Sequence, residues 1–430
     1  LPDAPSSRLL AAAAAVLSLA VAPATASAHA ASVRPDRVVV TYKGSTRIHT
    51  LRTAHPTATI ARLRRDPAVR YAVPDVVAHT AAAYLPDDPG RGLKAGRWAA
   101  VQWNFTGPNG VDAPDAWAHL IAAGRPGGKG VKVAVLDTGV AYREFGKTPA
   151  DPDLAGTRFV AGRDFIGHDD YANDRNGHGT HVTSTIAETT DNGIGLTGLA
   201  YGASIMPVKV LDDLGEGDAP VIAQGVRWAT DHGAKIINMS LEFDSTVGRD
   251  QIPELIDAIA YARAKGVLVV AASGNEGESS VAYPARNVNV LAVGGTTEHG
   301  CLADYSNSGH GLDLVAPGGG DDAPLDDPGC SYRKGRPGRN IAQMTLIGVH
   351  KDKIGIPHSY EGTSMAVPHV SATAALIVAS GILGSDPSPA AIEHRLEATA
   401  RDLGTPGYDT DYGWGLVNAA AATDPAVPLT

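Results

Sequence analysis

Three stretches of this 430-residue chain pair a reactive side chain with the small residues that let a backbone crowd around it. Asp137 closes the apolar run 131–136 and is followed by Thr138-Gly139. His178 sits in Asn176-Gly177-His178-Gly179-Thr180-His181-Val182, where glycines permit a tight entry into a helix. Ser364 lies in Gly362-Thr363-Ser364-Met365-Ala366, at the mouth of a long apolar helix predicted to run through Ser380. An acid, a base and a nucleophile are therefore available. A serine hydroxyl attacks a carbonyl only when an imidazole removes its proton, and the imidazole needs a carboxylate to fix its tautomer and stabilise the imidazolium.

Those residues need a frame. Apolar runs at 131–136, 204–211, 235–241, 267–272 and 288–293 read as buried parallel strands. Helical patterns at 219–232 and 252–265 separate some of them, the second with Leu255, Ile256, Ile259 and Ala260 on one face. The predicted fold is α/β, a doubly wound, mostly parallel sheet with its functional residues at the carboxyl ends of the strands. Ahead of it, residues 36–80 alternate strand (38–42), helix (57–65) and strand (69–73), a small α+β unit too short to bury much surface alone. A turn-rich stretch, 80–96, joins the two and is open to nicking.

Composition narrows the function. With 43% hydrophobic and 19% charged residues the chain can build a core, and 49 glycines and 29 prolines argue against a helical bundle. The net charge of −10 and the sparse aromatics disfavour nucleic acid as a partner. Residues 1–80 carry ten basic and four acidic side chains, the remainder 26 and 42, so a +6 segment precedes a −16 one. Opposite charge speeds encounter and improves register between two such parts.

Arg8, the apolar run 9–22 and the small residues Ala26-Ser27-Ala28 or Ala28-His29-Ala30 read as a secretory signal, residues 1–30. The run is too short to cross a hydrocarbon core, and no later run is read as longer and uncharged, so no membrane anchor is expected. Export makes a Cys301–Cys330 disulfide possible, closing a loop that would stabilise by about 3.5 kcal/mol on the chain-entropy model; two free, buried cysteines are the other reading.

In order along the chain, Asp137-Thr138-Gly139-Val140, His178-Gly179-Thr180-His181-Val182 and Gly362-Thr363-Ser364-Met365-Ala366-Val367-Pro368-His369-Val370 closely resemble the three catalytic signatures of the subtilisin-like serine proteases. The resemblance spans residues 102–420 and ends in Tyr412-Gly413-Trp414-Gly415-Leu416-Val417-Asn418-Ala419. It extends to residues 63–75, similar to the ferredoxin-like inhibitor and chaperone prodomain of these enzymes. It implies a signal at 1–30, a prodomain at 31–81, a linker and mature N-terminal arm at 82–101, and a catalytic domain at 102–430, with self-cleavage near residues 80–86.

The same resemblance assigns Asn275, within Ala271-Ala272-Ser273-Gly274-Asn275-Glu276-Gly277, as the side-chain donor of the oxyanion hole. The backbone N–H of Ser364 would be the second donor. Peptide would lie against Gly215-Glu216-Gly217 and Ser240-Leu241-Glu242, with Gly274 and Glu276 close by. Glu242 stands where the family commonly has glycine. With Glu216, Glu276 and Asp213 it would make the cleft acidic and favour basic residues near the scissile bond; the competing reading points these carboxylates to solvent. Gln102, Asp153 and Asn192 with the carbonyls of Thr190, Ile194 and Leu196 match the family's calcium site. No organic cofactor is implied.

Two departures stand out. Ser184 lies where a glycine is common after His181, and residues 318–359 form a long Gly- and Pro-rich connection containing Cys330 that would shape the cleft, act as a lid or cross the surface. His178 and His181 as a metal pair lack a third ligand, and packing of His181 beside the triad is the preferred reading. The resulting expectation is a secreted, monomeric, calcium-stabilised serine endopeptidase acting on polypeptides and on its own prodomain. The alternatives are a catalytically silent peptide-binding protein on the same fold and a peptide transacylase using the same acyl-enzyme.

Overall fold

The computed structural model describes residues 33–76, 84–92, 94–325, 330 and 338–428. The signal reading (1–30) and most of the expected cleavage region lie outside the described residues. The chain divides into two compact units, 1–82 and 83–430.

In the first unit, β1 (Val33–Tyr42), β2 (Ile48–Arg52), α1 (Pro56–Leu63) and β3 (Val69–Val76) form an antiparallel sheet in the order β2-β1-β3 with one helix against it. Val38 and Val40 on β1 pack with Ile60 and Leu63 on α1 and with Val69 and Ala72. The sequence reading missed β2, whose five residues are all exposed, so it carries no burial pattern to read.

The second unit is built on a wholly parallel sheet. Its strands are β4 (Lys132–Asp137), β5 (Arg158–Phe159), β6 (Arg163–Asp164), β7 (Ser204–Lys209), β8 (Ile236–Met239), β9 (Leu268–Ala272), β10 (Leu291–Thr296) and β11 (Leu314–Pro317). They run in the order β11-β10-β9-β8-β4-β7-β5, with β6 also on β7. The five apolar runs map onto β4, β7, β8, β9 and β10. The two-residue β5 and β6 are too short for periodicity to reveal, and β11 ends in a proline that argues against a strand.

Alternate residues of each strand enter different cores, which is why the strands read as continuous apolar runs. Val133, Val135, Ile205, Ile236, Leu268 and Val270 face one cluster, with α2 (Ala113–Ala122), α3 (His178–Ala187) and α6 (Thr363–Ser380). Ala134, Leu136, Met206, Val208, Ile237 and Val269 face the other, with α4 (Ala219–Asp231) and α5 (Pro253–Ala264). One expectation needs correcting here. α6 is an 18-residue uncharged run, longer than the N-terminal one, but 83% of it is buried inside the unit and it serves as the central core helix.

β4 is central, with β7 on one side and β8 on the other, and the chain passes from β4 to β7 through α3 on one face of the sheet and from β7 to β8 through α4 on the other. That divergence opens a crevice where ligands of doubly wound sheets bind. Asp137 is the last residue of β4. Cys301 and Cys330 form a disulfide with Cα atoms 4.6 Å apart.

Candidate active site

Asp137 is fully buried at the end of β4, and its Oδ1 accepts both the backbone N–H of Thr138 at 2.7 Å and His178 Nδ1 at 2.8 Å. His178 is the first residue of α3, and Gly177 before it takes φ 102°, a left-handed turn that an L side chain resists. A Cβ at Gly177 would also meet the Leu346 carbonyl at 2.9 Å. Burial alone would push the His178 imidazole down. The Asp137 carboxylate, helped by Asp174, outweighs burial and holds its pKa above the ordinary histidine range.

Asp174 is the member of this assembly that sequence reading did not single out. It is fully buried. Its Oδ1 accepts from Thr138 Oγ1 and from the N–H groups of Asn176 and Gly177, while its Oδ2 accepts from the N–H and hydroxyl of Thr180. Thr138 Oγ1 in turn accepts from Gly179 N–H. The end of β4 and the start of α3 are thereby fastened to each other on both sides of the Asp137–His178 bond. The signal was present as Asp174-Arg175-Asn176-Gly177, an aspartate followed by the turn residues whose N–H groups it can collect.

The connection after β11 also buttresses α3. His181 Nε2 bonds the Ile341 carbonyl at 3.1 Å, its ring stacks on Tyr360 at 4.2 Å, and burial lowers its pKa to about 3, so the ring is neutral. Thr345 Oγ1 donates to the Gly177 carbonyl. β12 (Thr345–Ile347) and β13 (Lys353–Gly355) form a hairpin within this connection. The described part therefore braces the helix that carries His178, a role not among the three read for it.

Ser364 is the second residue of α6, and His178, Ser364, Gly215, Glu216, Gly217, Ser240, Leu241 and Glu242 line one cleft of about 570 Å³. The hydroxyl of Ser364 donates to the Ser240 carbonyl at 3.1 Å, and among the described residues no hydrogen bond joins it to the imidazole. Ser240 Oγ donates back to the Ser364 carbonyl at 2.8 Å. Ser364 and His178 share the cleft without being bonded in this state.

Asn275 follows β9 and is oriented by Thr363, whose N–H and hydroxyl donate to Oδ1 at 2.8 and 3.0 Å. Its Nδ2 amide donates to Glu242 Oε1 at 2.9 Å. Burial pushes the Glu242 carboxyl up to about 7 against the opposing effect of that bond. Gly274 and Glu276, expected beside substrate, are not among the residues lining the cleft. Glu276 Oε2 accepts from Asn307 Nδ2, and the Gly274 carbonyl accepts from Asn307 N–H. Asp213 is paired with Lys209 and Arg175. Of the four acids read as facing substrate, Glu216 and Glu242 line the cleft.

The expected calcium ligands converge on the loop after α3. Asp153 Oδ2 accepts from Leu196 N–H and Oδ1 from Asn192 Nδ2, and Gln102 Oε1 accepts from Thr197 N–H. Burial raises the Asp153 carboxyl to about 7. Among the described residues no three His, Cys, Asp or Glu side chains converge as a metal cluster. The carbonyls of Thr190, Ile194 and Leu196 accept no hydrogen bond from described residues. A buried carboxylate short of counter-charge beside free carbonyls is an all-oxygen donor set of the kind a hard cation takes, so the residues fit calcium.

Residues 128–415 match the family model described as the Subtilase family. An alkaline protease of Shouchella clausii is 36% identical over 361 residues, covering 84% of this chain and 76% of that protein. Subtilisin Savinase of Lederbergia lenta is 39% identical over 296 residues, 69% of this chain and 91% of that protein. A solved protease structure from Pseudoalteromonas arctica shares 30% identity and a TM-score of 0.63, covering 79% of this chain and 99% of its own.

Proposed function

The chain belongs to the subtilase family and is a subtilisin-like serine protease, and on that premise we propose a secreted endopeptidase, made as a zymogen, in which Asp137, His178, Ser364 and Asn275 carry the chemistry. The Asp137–His178 bond at 2.8 Å, with His178 lining the same cleft as Ser364, is the observation that supports it most.

Ser364 Oγ turns from the Ser240 carbonyl and attacks the scissile carbonyl carbon while its proton passes to His178. Asp137 keeps the imidazole in the tautomer that accepts this proton and stabilises the cation formed. The carbonyl electrons move onto oxygen, where Asn275 Nδ2 and the Ser364 N–H donate. His178 returns the proton to the leaving amine as the C–N bond breaks, and water then hydrolyses the acyl-enzyme by the same proton route. Substrate backbone would lie along Gly215–Gly217 and Ser240–Glu242, where pairing with main chain tolerates many sequences.

Calcium held by Gln102, Asp153 and Asn192 with the carbonyls of Thr190, Ile194 and Leu196 would brace the loop after α3. When bound it supplies positive charge to a buried carboxylate and takes no part in the bond changes. Residues 31–81 act as a prodomain, a reading supported by the division of the chain at residue 82 and by the charge asymmetry.

The deciding experiment is N-terminal sequencing of the exported protein from wild type and Ser364→Ala. Wild type should begin near residues 80–86 and the variant near residue 31. Identical processing in both would exclude autocatalysis.

A further inference from the structure

The amide assigned to the oxyanion already bonds an acid. Thr363 holds Asn275 Oδ1, and one of the two N–H donors of Nδ2 goes to Glu242 Oε1 at 2.9 Å. Glu242 Oε2 is buried and has no hydrogen-bond partner among the described residues. The cleft offers it no cation: its titratable lining groups are His178, Glu216 and Asp244, without a lysine or arginine. Glu276, next to Asn275, adds a further repulsion. A buried carboxylate without a counter-charge is costly, and one bonded to the oxyanion amide also opposes an anionic transition state by its charge.

We propose, resting on the protease reading above, that Glu242 is the specificity-determining residue of this enzyme. In the free enzyme its carboxyl accepts one N–H of Asn275 Nδ2. A lysine or arginine side chain on the residue that supplies the scissile carbonyl pairs with Glu242 and cancels the negative charge beside the oxyanion. Position carries the assignment to that one substrate residue: its carbonyl oxygen must bond the same amide that holds Glu242, so its side chain starts beside that carboxyl. Neutral side chains cannot pair with Glu242, so they lose the ion pair and leave its charge opposing the oxyanion.

The test uses the processed enzyme and peptides identical except for arginine, citrulline or alanine before the scissile bond. Active sites are counted by fluorophosphonate labelling, so that folding losses are removed from the rates. Wild type should favour arginine over citrulline, its neutral isostere, by about 30-fold or more in kcat/KM, the scale for losing one partner of a buried charge pair. Glu242→Gln and Glu242→Gly should each bring that ratio within about threefold. Glu242→Gly should also raise kcat on the citrulline peptide, because the negative charge beside the oxyanion is then removed. A wild type that labels but shows no arginine preference overturns the proposal, as do variants that keep the preference. Failure of wild type to label or cleave anything refutes the protease reading instead.

Discussion

The two halves of the active site are in different states of readiness. On the side of the base, Asp137, His178 and Asp174 are joined by hydrogen bonds that leave the imidazole a single orientation. On the side of Ser364, its hydroxyl is bonded to Ser240 and must change partners before it can attack, and Asn275 gives one of its two N–H donors to Glu242. The fixed half rests on strand and helix ends in a buried core, where geometry costs nothing at the moment of reaction. Of the exchangeable half, Ser364, Ser240 and Glu242 line the cleft, where substrate can supply the displacing group. Binding can therefore be selective on one side without loosening the other.

The sharpest test of this division removes the nucleophile. Ser364→Ala should lower kcat by about 10⁶-fold, measured by single-turnover hydrolysis of a peptide, with melting temperature nearly unchanged because only an exchangeable bond to Ser240 is lost. Asp137→Asn, on the fixed side, should cost about 10⁴ in kcat by favouring the wrong tautomer. It should also move the acid limb of kcat/KM. His178 must be neutral to accept a proton, and the Asp137 anion raises its pKa. In wild type activity thus falls as pH drops through a value above the ordinary histidine range, and in the variant the limb shifts to lower pH. Asn275→Leu should lose about 10²- to 10³-fold in kcat with KM little changed, since the amide acts on the transition state.

Smaller effects probe the scaffold. Asp174→Ala leaves the N–H groups of Gly177 and Thr180 without an acceptor, so it should cost about 1–3 kcal/mol in urea unfolding and weaken activity by misplacing His178. The equivalent loss on the other side, Ser240→Ala, should fall nearer 1 kcal/mol. Chelation of calcium should lower the melting temperature by several degrees, as expected when a ligand present at about 100 times its Kd, worth about 2.7 kcal/mol, is withdrawn. An unchanged melting temperature would count against the site at Asp153.

How much was legible follows the same division. Asp137, His178 and Ser364 announce themselves because each reactive side chain is bracketed by small residues, and β4, β7, β8, β9 and β10 because burial on both faces makes them apolar throughout. Asp174 was missed although its turn signature was there, since its partners Thr138 and Thr180 lie on different elements. The Glu242–Asn275 bond needed sheet register. Met239 pairs with Ala271, so Glu242 and Asn275 leave adjacent parallel strands at nearly the same height. The role of the connection was hidden because Ile341 and Thr345 act through a carbonyl and a hydroxyl that carry no pattern.

The wholly parallel sheet has a kinetic consequence. Val133 pairs with Ile205 on one side and Ile236 on the other, so β4 acquires neighbours only after long stretches of chain have been gathered in. The entropy of closing those loops precedes any reward from pairing, which makes topologies of this kind slow to assemble and prone to clumping while they wait. A nascent polypeptide of this design gains most from help that arrives already tethered to it.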